Sequence, residues 1–287
     1  MVEARIGVIG GSGLYQIEGL SDLRETSVET PFGDPSDVIA IGRLEGVPVA
    51  FLPRHGSGHR ISPSELPARA NIFALKSLGV ERIISISAVG SLREDIHPLD
   101  LVIPDQVIDR TRGRASTFFG RGLVAHIGFA QPFCAHLSQI LYQTATKLGT
   151  RVHSGGTCVV IEGPAFSTKA ESHLYRSWGA SIVGMTALPE AKLAREAEMC
   201  YATLAFVTDY DCWHETEEPV SVEMVVANLM KNAQTAKNIL RAAIAAVAGE
   251  RTCRCNTALK DAIITSPERI PANLRRELAP LIRKYIR

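Results

Sequence analysis

Five short apolar runs in this chain end alike. RIGVIGG (5–11), RIISISAVG (82–90), CVVIEG (158–163), ASIVGM (180–185) and YATLAFVT (201–208) are each long enough for one strand. Each then gives way to glycine, small or polar residues. Stretches with helical spacing of apolar residues lie between them: 65–79, stopping at Gly79, then 133–148, about 168–178 and about 189–199, where Pro189 suits a first turn. Apolar strands alternating with helices give an α/β fold around one central sheet, largely parallel or mixed. In such sheets ligands bind beyond the carboxyl ends of the strands, so the strand ends are where chemistry is expected.

The rest of the chain fits this frame. DVIAIGR and VPVAFLP (37–43, 47–53) flank a Glu45-Gly46 turn and read as a hairpin. DLVIPD (100–105) is another short strand. Residues 222–249 form one long helix or two, and 267–286 a helical segment starting at Pro267, with Leu274, Leu278, Leu281 and Ile282 in helical register. The loop 109–122, DRTRGRASTFFGRG, is the least regular stretch and is either mobile or a cover over a site. No linker rich in glycine, serine or proline divides the chain, so 1–287 reads as a single domain with the helical segment from about 220 packing on it.

Composition excludes several functions. With 46% apolar and 21% charged residues there is ample material for a core. A formal charge of +1 from scattered basic residues leaves no stripe for nucleic acid. No apolar run approaches the roughly 20 residues that span a bilayer, and MVEARIGVIG lacks the plan of a signal peptide. No membrane partner and a cytoplasmic location are expected. Six cysteines in this length are not a disulfide scaffold. Cys134, Cys158, Cys200 and Cys212 sit in apolar or aromatic contexts and read as small hydrophobes. Cys253 and Cys255 form a CxC flanked by arginines; one pair is too few for a closed zinc site, and either a disulfide or reduced thiols fit. No metal site is expected.

Five motifs sit at or near strand ends. IGGSGLY (9–15) exposes backbone N–H groups that can cradle an anion; Gln16 breaks the dinucleotide pattern GxGxxG, and a purely structural turn is the alternative. LPRHGSGH (52–59) offers Arg54, a planar fork for phosphate, with His55 and His59, or else an ordinary polar loop. SISAVGSL (85–92) places Ser87 and Ala88 where a ligand can approach backbone, unless the small residues only allow tight packing. EGPAFSTKAE (162–171) carries Phe166, which stacks on a flat ring or belongs to the core. GMTALPE (184–190) carries Met185, a soft packing surface, and Thr186, an anion-binding hydroxyl or a loop organiser.

LAFVTDYDCW (204–213) ends a buried strand with two carboxylates. In an extended segment residues i and i+2 share a face, so Asp209 and Asp211 can address one ligand. Burial and a like charge both raise a carboxyl pKa. Such an acid can protonate a leaving group while its neighbour accepts hydrogen bonds from an amino group. A Mg²⁺ site would want more oxygens, and a solvated turn suits neither the apolar nor the aromatic neighbours.

Taken in order from residue 5 to about 250, IGGSGLY, LPRHGSGH, SISAVGSL, EGPAFSTKAE, GMTALPEAKLAREAEM and FVTDYDCW resemble the purine nucleoside phosphorylase family, in its branch acting on 5′-methylthioadenosine. The resemblance implies a phosphorylase/hydrolase-like three-layer α/β sandwich around a mixed, partly barrel-like sheet. It implies a homotrimer, with hexamers among some relatives, and a helical C-terminal segment near the subunit interface. Certain hexameric relatives have a CxC disulfide, which would fall on Cys253 and Cys255. By motif position Ser12, Arg54, His55, Ser87, Ala88 and Thr186 would hold phosphate. Met185 would lie against ribose, Phe166 against the base, Asp209 at purine N7 and Asp211 at the 6-amino group. His59, Val222, Val225 and Val226 would form the 5′ pocket, with His126 from a neighbouring subunit. Ser57-Gly58 departs from the bulkier polar residues of animal relatives at that pocket's edge.

The reaction implied is phosphorolysis of methylthioadenosine, with inorganic phosphate as co-substrate and no cofactor. Its chemistry agrees with the residues. Phosphate below C1′ stabilises and then captures an oxocarbenium-like sugar, and a protonated Asp209 neutralises the departing base. An ionised carboxylate at C6 favours a 6-aminopurine over a 6-oxopurine. A pocket lined by three valines favours a methylthio group over a hydroxyl, by about 1 to 3 kcal/mol, which leaves adenosine a weaker substrate. A 6-oxopurine or methylthioinosine phosphorylase, a hydrolase that needs no phosphate, and a non-catalytic adenine nucleoside-binding module are the alternatives.

Overall fold

A computed structural model describes residues 3–11, 17–214 and 222–286, without the side chains of 222–226 and 229. The first apolar run becomes β1 (Ile6–Gly10), buried throughout. It is followed by β2 (Leu20–Thr26), β3 (Ile39–Leu44) and β4 (Val47–Pro53). β3 and β4 pair antiparallel as the expected hairpin. Its two turn residues, Glu45 and Gly46, both have positive φ (47° and 79°), the geometry that matches strand twist in a two-residue turn. Next come α1 (Ala68–Ser77), β5 (Arg82–Ser91), β6 (Leu101–Ile103), β7 (Gln106–Arg110), α2 (Ala135–Lys147), β8 (Val152–Ser154) and β9 (Thr157–Ile161). The chain continues with α3 (Lys169–Ser177), β10 (Ile182–Gly184), α4 (Ala187–Glu196), β11 (Cys200–Asp209), α5 (Val222–Val247), α6 (Ala272–Glu277) and α7 (Ala279–Ile282).

The strands form one mixed sheet in the order β2-β3-β4-β1-β5-β10-β9-β7. The sheet branches at β5. The start of this ten-residue strand pairs parallel with β1, and its far end pairs antiparallel with β10. Along nearly its whole length β5 also pairs parallel with β11, which carries β6 and then β8. The branching makes the sheet partly barrel-like, as the resemblance implies.

Both faces are covered, which is why the strands read as continuous apolar runs. Cys200, Ala202, Leu204 and Phe206 of β11 face α2 (Leu137, Leu141) and α5 (Ile239, Leu240, Ile244). The alternate residues Tyr201, Ala205 and Val207 face α1, α4 and the C-terminal helices. Helices on both sides of the sheet make the three-layer α/β sandwich.

Two features depart from the sequence reading, the broken C-terminal segment and the edge strand β2, and two others concern stretches it left open. Residues 222–247 form one continuous helix. The 267–286 segment is broken: a 3₁₀ turn at Pro267–Arg269 precedes α6 and α7, and Pro271 and Pro280 lack the N–H that a continuous helix would need. Leu274, Leu278, Leu281 and Ile282 are nonetheless all buried. β2 is mostly exposed and lies at a sheet edge, so it carries no apolar signal. The 109–122 stretch is anchored: Glu196 accepts from Thr117 Oγ1 and from the Phe118 backbone N–H, both at 2.7 Å, and Lys192 pairs with Asp109 at 2.6 Å. Among the described residues no helix is long and apolar enough to cross a membrane.

Candidate active site

The ends of β1, β4, β5, β9, β10 and β11 converge on a cavity of about 590 Å³. Asp209 and Asp211 line one part of it. Asp209 is the last residue of β11, just past a register slip against β5. Thr208 Oγ1 donates to its Oδ2 at 2.7 Å, and the Asp211 backbone N–H donates to its Oδ1 at 2.8 Å. Asp211 is not in an extended segment. Its φ of +54° is left-handed, so the chain turns back onto Asp209. The two carboxyls share the cavity because of this turn, and not because of the i, i+2 alternation expected from the sequence.

Both groups are deeply buried, Asp209 being 7% and Asp211 8% exposed. Burial pushes both carboxyls above their ordinary pKa, and the charge of Asp211 adds to the effect on Asp209. The turn is held from outside by Trp213, whose Nε1 donates to Ser91 O at 2.7 Å beneath the Arg176 guanidinium, 3.4 Å from the ring centroid. From α5, Asn228 donates to Thr208 O at 2.7 Å and Asn232 to Val207 O at 3.2 Å. Gly90 makes the room: a Cβ there would lie 2.9 Å from Asp209 Oδ1 and 3.2 Å from Asp211 Cβ.

Hydroxyls of the kind that can hold an anion line another part. Ser87 Oγ of β5 and Thr186 Oγ1 lie 3.1 Å apart. Thr186 directly precedes α4, and its side chain makes no capping bond. α4 takes helical geometry only after Leu188, so Pro189 does stand at its first regular turn. Ala88 and Gly11 also line the cavity. Ser12 lies outside the described residues.

Arg54 follows β4 into the cavity wall and is 2% exposed. Its Nε donates to Glu190 Oε1 at 2.6 Å, Nη2 to Ser85 Oγ at 2.7 Å, and Nη1 to Ile86 O at 2.9 Å. Burial disfavours the guanidinium charge, but Glu190 outweighs it and holds the pKa above its usual value. Tyr201 Oη donates to the same carboxylate at 2.8 Å. His55 stacks on His59 with ring centroids 4.2 Å apart. Burial lowers the His55 pKa to about 4, so the imidazole is neutral near pH 7. Its Nδ1 lies 2.8 Å from Ile61 O, an acceptor only, so Nδ1 carries the proton and Nε2 is left to accept.

Phe166, 47% exposed, and Met185 stand on the cavity wall. His59 lines it as well. The side chains of Val222, Val225 and Val226 lie outside those described. His126 is exposed, its backbone N–H bonded to Ala262 O at 2.9 Å, and it does not line this cavity.

Three contributors escaped the sequence reading. Glu190 follows Pro189 in an apolar context, and a buried acid there is the one signal that points to it. Lys237 of α5 reaches the cavity wall. Arg114, from the irregular stretch, donates to Met185 O at 2.7 Å, Leu188 O at 2.9 Å and Glu162 Oε1 at 3.1 Å, and so ties the ends of β9 and β10 to the start of α4. Of the cysteines, the sequence reading left the state of Cys253 and Cys255 open and did not foresee their neighbours. Cys253 and Cys255 are free thiols, and they gather with Cys134 and Cys200 at the other end of β11.

The arrangement suits a ligand with an anion at one side and a hydrogen-bonding heterocycle at the other. Residues 5–245 match the model of the phosphorylase superfamily. The S-methyl-5′-thioadenosine phosphorylase of Geobacter sulfurreducens is 57% identical over 286 residues, covering 99% of this chain and 100% of that one. That of Koribacter versatilis is 56% identical over 284 residues, covering 99% and 97%. The crystal structure of a methylthioadenosine phosphorylase from an antarctic soil metagenomic library superposes with a TM-score of 0.94 at 52% identity, covering 98% of this chain and 100% of that one. With its branched mixed sheet, its strand-end cavity and these relatives along its whole length, the chain belongs to the phosphorylase superfamily, in the methylthioadenosine phosphorylase branch of the purine nucleoside phosphorylases.

Proposed function

We propose that the protein cleaves S-methyl-5′-thioadenosine with inorganic phosphate, giving adenine and 5-methylthio-α-D-ribose 1-phosphate, with no cofactor. The observation that carries this reading is one cavity holding a buried, pKa-raised carboxyl pair together with a hydroxyl and arginine cradle. Phosphate binds between Ser87, Thr186, the Ala88 backbone, Arg54 and His55, with Ser12 completing the cradle. Because neutral His55 presents an acceptor, it receives a hydrogen bond from a protonated phosphate oxygen. Glu190 orients the Arg54 fork.

A phosphate oxygen then bonds to C1′ as the bond from C1′ to N9 breaks. The electron pair of that bond passes to the purine. Asp209, protonated through its raised pKa, shares its proton with N7 and so removes the charge of the leaving base. Asp211 accepts from the 6-amino group, Phe166 packs on the base and Met185 on the ribose. The methylthio end lies by His59, Val222, Val225 and Val226, with His126 contributed by a neighbouring subunit of a homotrimer. The helical segment from about 220 onward packs near that interface. The enzyme works in the cytoplasm, where purine and methionine salvage need it, and adenosine is a weaker substrate.

The test is a substrate panel. Purified protein and phosphate are incubated in turn with methylthioadenosine, adenosine, inosine and methylthioinosine, and base release is followed. Fastest turnover of methylthioadenosine with inosine inert is expected. Preference for inosine or methylthioinosine would overturn the roles of Asp209 and Asp211 as readers of a 6-aminopurine. Absence of release from any of the four would leave a binding module as the better reading.

A further inference from the structure

We propose that Cys134, Cys200, Cys253 and Cys255 form a structural zinc site, a tetrathiolate at the end of the sheet away from the cavity. The four come from three distant places: Cys134 directly precedes α2, Cys200 opens β11, and Cys253 and Cys255 follow α5. Their sulfur atoms all lie within 4.8 Å of one another. A zinc ion bound tetrahedrally at ~2.3 Å from each sulfur sets sulfur–sulfur distances of roughly 3.8 Å. The cluster therefore closes on an ion with adjustments of about 1 Å, and the Cys200–Cys253 separation of 3.3 Å has only to open slightly.

The surroundings suit thiolates. Cys134, Cys200 and Cys255 are buried and Cys253 is partly buried. Cys134 occupies the N-cap of α2, where unpaired backbone N–H groups favour negative charge. Arg251 stands beside the cluster, and its buried Nε has no hydrogen-bond partner. A metal tetrathiolate carries a net charge of −2, and Arg251 is placed to offset it and to donate to sulfur. Each Zn–S bond that forms replaces an S–H bond, and the proton leaves to solvent.

Four protein ligands leave no open position, the mark of a structural rather than a catalytic zinc. Cys200 is the first residue of β11 and Asp209 the last, about 30 Å apart at ~3.3 Å per residue. The ion would fix the start of the strand that carries the catalytic carboxyl at its other end, and tie the segment after α5 to the sheet.

The experiment measures metal in the wild-type protein, purified under reductant without chelator, by plasma mass spectrometry. Cobalt(II) is then added to the metal-stripped, reduced protein and the thiolate-to-cobalt charge-transfer absorption is followed. About one zinc per chain, or tetrahedral cobalt uptake to one per chain, supports the site. Cys255→Ser should abolish retention of the ion. Arg251→Gln, which keeps all four sulfurs, should weaken zinc binding roughly 10- to 100-fold. Reduced wild-type protein that takes up neither ion at that stoichiometry would overturn the proposal. So would metal-free protein, alkylated at lysis, whose mass shows the four cysteines paired as two disulfides. The wild-type measurements need no variant, so a misfolded mutant leaves the question answerable.

Discussion

Asp209 is held in a place where its ionised form is disfavoured. Its pKa is raised by burial, so the folded state binds the proton more tightly than the unfolded chain does. By linkage, stability is lost as pH rises from the unfolded value of 3.8 through the folded one, and above it the ionisation penalty is paid in full. Asparagine escapes the penalty and fits the contacts, its oxygen accepting from Asp211 N and its amide donating to Thr208 Oγ1. Asp209→Asn should therefore cut kcat/KM for methylthioadenosine by ~10²-fold or more, yet melt at least as high as wild type at neutral pH. That advantage should vanish as pH falls toward 3.8. Melting scans across pH beside initial rates check both halves. Gly90→Ala tests the same pair sterically. Its new Cβ meets Asp209 Oδ1 at 2.9 Å, with Asp211 Cβ and Val183 Cγ1 each at 3.2 Å. A loss of about 1–3 kcal/mol of stability with a larger fall in kcat than in substrate affinity is expected, measured by urea unfolding and steady-state kinetics.

Strands and helices place these groups, and they differ in how much of that placement the sequence carries. A strand end is a local fact. An apolar run followed by glycine or a small polar residue marks it, so Thr186 and Asp209 stand out beside the ends of β10 and β11, while Ser87 lies four residues inside β5. Partnerships across the sheet are not local. Glu190 is separated from Arg54 by 136 residues, and nothing in either motif names the other. The cysteines show the same limit: Cys134 and Cys200 read as small hydrophobes until the fold brings the CxC pair to them. The turn at Asp211 was hidden for another reason, since aspartate tolerates left-handed backbone without a glycine to announce it. The Arg54–Glu190 pair is accordingly a fair test of how β4 and α4 are locked together. Glu190→Ala leaves a guanidinium buried without its carboxylate and should destabilise the protein by about 3–5 kcal/mol. Glu190→Gln should lose less stability while raising the KM for phosphate, because Arg54 loses its orienting charge. Urea denaturation and phosphate-dependent kinetics separate the two effects.

The cavity of one chain carries the groups proposed for base and phosphate, while His126 lies away from it on the surface. In the proposed trimer that histidine reaches a neighbour's methylthio end. His126→Ala should then raise the KM for methylthioadenosine several-fold and leave the affinity for free adenine, which has no 5′ group, unchanged. Sedimentation of the wild-type protein should give a trimer, and dilution that separates subunits should mimic the variant. At the centre of the whole account is phosphate as the acceptor of the sugar. It is tested by following adenine release from methylthioadenosine in phosphate-free buffer and again with phosphate added, while identifying the sugar product by phosphorus NMR. Release that depends on phosphate and yields the α-1-phosphate is expected. Equal release without phosphate, giving free methylthioribose, would contradict the cradle built from Ser87, Thr186 and Arg54.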